Sequence, residues 1–153
     1  MALDDQFMTV LADDFIAQPT EAQGYLIAAQ GMLAGARPLG EILPIPNFAL
    51  TLLCGHACEA ALKSLLAYNG IIARTLSRRP YGHDLLKLWD ETERSGFNLI
   101  NPRPDWISQL NRVYDNPFHL RYPLGFHAIV LPDQKAMLEG TRILVSFAES
   151  IIR

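Results

Sequence analysis

The apolar residues of this chain recur mostly at spacings of three and four, the period of helices that bury one face. Leu26, Ala29, Leu33 and Ala36 follow Thr20, and Gln23 stands three residues after that threonine, the pattern of a reciprocal N-terminal cap. A helix is expected from about 20 to 35. "RPLGEILPIP" should end it, because three prolines and a glycine in ten residues oppose its continuation. The next apolar run starts near Asn47 and stops at Asn69-Gly70, two residue types that tolerate positive φ.

"HDLLKLWDETERSG" predicts a third helix, with Leu85, Leu88, Trp89 and Thr92 turned inward and Gly96 ending it. Lys87–Glu91 and Asp90–Arg94 would be exposed ion pairs four apart. A fourth helix opens at Pro104-Asp105 in "PDWISQLNRVYD" and offers Trp106, Leu110, Val113 and Tyr114 for burial. "NPFHLRYPLGFHAIVLP" reads as irregular or extended. From Asp133, the residues Met137, Thr141, Leu144, Ala148 and Ile151 mark a last helix. The first 17 residues hold a short amphipathic pattern through Phe7, Val10, Leu11 and Phe15. With no useful strand alternation, the expected fold is all-α: an up-and-down antiparallel bundle of four to five helices. It would form one domain over residues 1–153, with its core at about 20–152.

His56, Glu59 and Lys63 interrupt the most apolar helix at spacings of three and four, so they form one narrow stripe. A catalytic face, a metal face, a solvated edge and an internal polar joint would all look like this. The beginning of the next helix, His83-Asp84, supplies the natural counterpart. The five residues are therefore expected to form a structural polar seam, with Asp84 also placed to cap that helix.

Composition narrows the setting. Half of the 153 residues are hydrophobic and 19% are charged, which fits a buried globular chain and excludes a disordered one. The net charge of −3 gives no general attraction to nucleic acid or membrane, so any phosphate-binding surface must be local. Phe48 to Tyr68 is long enough to span a bilayer, but its three polar residues lie mid-span and mark a core helix. The start "MALDDQFMTVLADDF" has no basic region followed by an apolar core, so a cytoplasmic protein without a membrane association is expected.

Cys54 and Cys58, four apart on a helix, read as buried free thiols. Histidines 56, 83, 119 and 127 lack zinc-finger spacing, and Asp4, Asp5, Asp13 and Asp14 read as a solvated face, so no metal or other cofactor is expected. Neither a phosphate-binding glycine loop nor a nucleophile elbow is present. Arg74, Arg78 and Arg79 are candidate ligand-binding residues: beside Tyr81 they combine positive charge with a ring on which a base can stack.

"HACEAALKSLLAYNG", then "YGHDLLKLWDE", then "LRYP" resemble the HEPN family (higher eukaryotes and prokaryotes nucleotide-binding domains). The shared pattern is Ala-x-Glu-x-x-x-Lys-x-x-Leu at Ala57, Glu59, Lys63 and Leu66, followed by Gly-His-Asp-Leu at Gly82 to Leu85. The resemblance extends over roughly residues 20 to 150. It implies a helical bundle that forms a homodimer through its helices. Active members of the family are metal-independent endoribonucleases, many of them toxins or defence effectors. They use an arginine and a histidine four to six residues apart, paired across the dimer cleft.

Arg121 and His127 in "RYPLGFH" meet that spacing. Arginine would hold the phosphate through paired hydrogen bonds, and histidine would move the proton. Tyr122 stands where active members carry a polar residue, and Pro123 and Gly125 break the segment that in those members lies on or next to regular helix. Other members of the family are binding or assembly modules. The leading expectation is accordingly a module that binds a nucleotide, RNA or a protein partner such as an antitoxin, within a toxin–antitoxin or defence system. The alternative is an endoribonuclease using Arg121 and His127.

Overall fold

The computed structural model describes residues 17–42, 47–115, 120 and 129–152. Among these residues every regular element is an α-helix: α1 (Glu21–Ile42), α2 (Phe48–Tyr68), the single turn α3 (Ala73–Leu76), α4 (Leu85–Arg94), α5 (Asp105–Tyr114) and α6 (Gln134–Ile151). The five longer helices pack on one another as an all-α bundle. The amphipathic pattern at the N-terminus and most of "NPFHLRYPLGFHAIVLP" lie outside the described residues.

Helix α2 is the centre of the bundle and packs against α1, α4, α5 and α6. Its sequence is apolar nearly all round, the pattern of a helix enclosed by others. It is also long and apolar enough to cross a membrane, yet 78% of its most apolar stretch is buried by the rest of the chain. Leu50, Leu62, Leu65 and Leu66 are fully enclosed, each worth roughly 1.5–3 kcal/mol on removal from water. Cys54 and Cys58 are buried free thiols, and Cys58 Sγ lies 3.4 Å from the Thr141 hydroxyl on α6. Burial pushes the Cys54 thiol up to about 11 and Cys58 higher still, so both stay protonated and unreactive near neutrality.

Local signals set most helix ends. The Thr20 N–H donates to Gln23 Oε1 at 3.0 Å and the Gln23 N–H returns to Thr20 Oγ1 at 3.2 Å, closing the reciprocal cap of α1. Asn47, Asp84 and Asp133 cap α2, α4 and α6 through side-chain oxygens. After α2 and α4, Gly70 (φ 93°) and Gly96 (φ 94°) take the left-handed conformation.

Two expectations need correction. Helix α1 does not stop near 35; it continues through Pro38 and Gly40 to Ile42. Pro38 gives up one internal hydrogen bond. The last turn is instead fastened to α6, where Gln134 Nε2 donates to the Gly40 carbonyl at 3.2 Å and Leu138 closes against the bare Gly40 backbone. The ion pairs on α4 also differ. Arg94 binds Glu91, three residues before it, while Asp90 is taken by Arg103 from the following connection at 2.7 Å.

Candidate functional site

A carboxylate inside an apolar helix must collect donors or lose its charge. Glu59, 8% exposed near the middle of α2, collects three among the described residues. Lys63 Nζ, one turn along, donates to Oε1 at 2.6 Å. His83 Nδ1, on the connection before α4, meets Oε2 at 2.9 Å, and the Tyr114 hydroxyl at the end of α5 donates to the same oxygen. His56 Nδ1 lies 3.1 Å from the Tyr114 hydroxyl, with the two rings edge to face. His56, Glu59, Lys63 and His83 are thus brought together, and the carboxylate joins three separate parts of the chain.

Gly55 makes the Tyr114 contact possible. A Cβ at position 55 would overlap the Tyr114 ring, so the glycine lets the ring lie against the α2 backbone with its hydroxyl one turn further on, at Glu59. Burial alone would raise the Glu59 pKa. The hydrogen bonds from His83, Lys63 and Tyr114, with the positive charge of Lys63, outweigh burial and hold the carboxyl below its ordinary 4.5. Glu59 is therefore an ionised acceptor near neutral pH.

Asp84 takes a different position from the other four. Its Oδ1 accepts from the Leu86 and Lys87 N–H groups and caps α4, and Asn111 on α5 donates to the same oxygen at 3.3 Å. Asn111 also accepts from the Leu85 N–H at 2.8 Å, so one asparagine pins α5 to the beginning of α4. The Asp84 charge is spent on the helix end.

His83 is where the buried seam reaches the surface. Its side chain is 41% exposed and lines an open cleft of about 610 Å³ with Ser77, Arg79, Tyr81, Lys87 and Asp115 among its other walls. Arg79 and Tyr81 therefore share a cleft with His83. Arg74 belongs to α3, and neither it nor Arg78 lines that cleft. The Tyr81 ring, the Arg79 and Lys87 side chains and the imidazole can receive a phosphate and the base attached to it. Asp84 and Asp115 line the cleft as well and limit its net charge. Arg121 and His127 lie outside the described residues.

Residue-by-residue reading of the sequence missed three contributors. Tyr114 looks like an ordinary core residue, although a buried phenol needs a hydrogen-bond partner and so pointed to a polar neighbour. Lys87 pairs by spacing with Glu91 on the helix surface, and Asn111 carries no local signal. The chain matches no family model, no curated protein and no solved structure.

Proposed function

We propose that the chain is a HEPN-like helical-bundle module that binds the phosphate of a nucleotide or RNA in the cleft beside His83. The observation that carries this reading is the convergence of Arg79, Lys87, His83 and Tyr81 on one open cleft. Arg79 offers a planar fork for phosphate oxygens, Lys87 a second positive charge, and Tyr81 a face for the base. Glu59 holds the His83 ring from the core side, which fixes that wall of the cleft before a ligand arrives.

Calorimetric titration with pyrophosphate and with ADP tests it. Arg79→Glu should weaken both ligands about tenfold or more, the scale of a lost charge-assisted contact. Arg74→Glu, outside the cleft, should change them far less. Equal effects of the two reversals, or none, would overturn the assignment.

The endoribonuclease reading draws on the spacing of Arg121 and His127 in "RYPLGFH". It requires RNA cleavage that survives chelation of divalent metals and disappears in both Arg121→Ala and His127→Ala. Light scattering on the purified chain tests the homodimer that accompanies either reading, and a monomer would remove it.

A further inference from the structure

A second, smaller cleft opens between α1 and α2, lined by Tyr25, Ala28, Met32, His56, Glu59, Ala60 and Lys63. It shares no lining residue with the cleft beside His83. Its volume of about 170 Å³ equals roughly five or six waters at about 30 Å³ each, the room a small ring compound needs.

The floor of this cleft is under-used. The Lys63 side chain is only 7% exposed, and among the described residues its ammonium makes one hydrogen bond, to Glu59. An ammonium has three N–H donors, so two have no acceptor among the described residues and can be offered to a ligand in the cleft. The half-buried Tyr25 hydroxyl also has no protein hydrogen bond among the described residues. Burial, with the nearby carboxylates Glu21 and Glu59, raises its pKa and keeps it a donor. Ala28, Met32 and Ala60 make the remaining walls apolar.

The charge balance decides what kind of acceptor fits. The Lys63 charge is already met by Glu59 at 2.6 Å, and an anionic ligand would place a second negative charge beside that carboxylate. A neutral oxygen avoids the repulsion and still accepts the spare N–H. The Tyr25 ring and the Met32 thioether suit a flat ring. We propose that this cleft binds a small neutral molecule with a flat apolar body and a carbonyl oxygen, an aryl or cyclic amide, whose oxygen accepts from Lys63.

Amide-detected NMR titration with benzamide, repeated with benzoate, tests the inference. Benzamide should shift the signals of Ala28, Ala60 and Lys63 saturably, and benzoate, of the same shape but charged, should bind at least about tenfold more weakly. Removing Lys63 endangers the fold, so two variants elsewhere in the cleft carry the test. Ala28→Trp, at an exposed position on α1, should fill the cleft and abolish saturation. Tyr25→Phe should weaken benzamide about threefold to tenfold, the scale of one neutral hydrogen bond.

Arg79→Glu should leave benzamide binding unchanged, which separates this site from the phosphate cleft. Absence of shifts at the three residues, shifts that persist in Ala28→Trp, or benzoate binding as tightly as benzamide would each overturn the proposal.

Discussion

Glu59–Lys63 on α2 and Glu139–Arg142 on α6 are both carboxylate–cation pairs one helical turn apart, and their surroundings give them different roles. Arg142 reaches Glu139 with two hydrogen bonds, 2.9 and 2.7 Å long, at the surface, where both side chains are about half exposed. The arginine holds the Glu139 carboxyl below its ordinary pKa, and solvent screens most of what that attraction contributes to stability. Glu59 and Lys63 are enclosed, and the same carboxylate also serves Tyr114 and His83. The surface pair decorates one helix. The buried one ties α2 to α5 and to the connection before α4, and it places His83 at the edge of a cleft.

The largest effect should come from emptying the centre of the seam. Glu59→Ala leaves a buried ammonium without its counter-charge, and Tyr114 and His83 without that acceptor. A loss of about 3–5 kcal/mol is expected, read from the urea midpoint. An unchanged midpoint would erase the distinction between the two pairs. Tyr114→Phe sharpens it, because the ring stays against Gly55 while one donor to a charged oxygen disappears. That should cost about 1.5–3 kcal/mol in the same measurement. At the other end, Glu139→Gln should leave the urea midpoint where it was; a loss comparable to that of Tyr114→Phe would show that burial is not what separates the pairs.

Much of the framework was legible because its signals are local. Thr20 and Gln23, Asn47, Asp84 and Asp133 announce helix starts by the chemistry of their own side chains. The stripe of His56, Glu59 and Lys63, with His83 as its counterpart, could be read from helical spacing and from the need of a buried charge for partners. What escaped the sequence depends on distant contacts. The continuation of α1 past Pro38 relies on Gln134 and Leu138, nearly a hundred residues away. Asp90 found Arg103 because a connection, not its own helix, brought the arginine near. Tyr114 reaches Glu59 only because Gly55 leaves room for its ring. The union of Arg79 with Lys87 depends on how the chain turns between α3 and α4.

An ionised Glu59 fastens α2 to α5 and to the connection before α4, and pH tests that role most directly. The native pKa of Glu59 is depressed, so the stability it supplies is fully present above the unfolded value of 4.5 and is lost as pH falls through the lower native value. The measurement is unfolding free energy against pH for the parent chain and for Glu59→Gln, an uncharged side chain of nearly the same shape. The parent should be the more stable near neutrality, and the gap should close as the pH drops below 4.5. A gap that is absent at neutral pH, or that stays constant through the acid range, would contradict the claim.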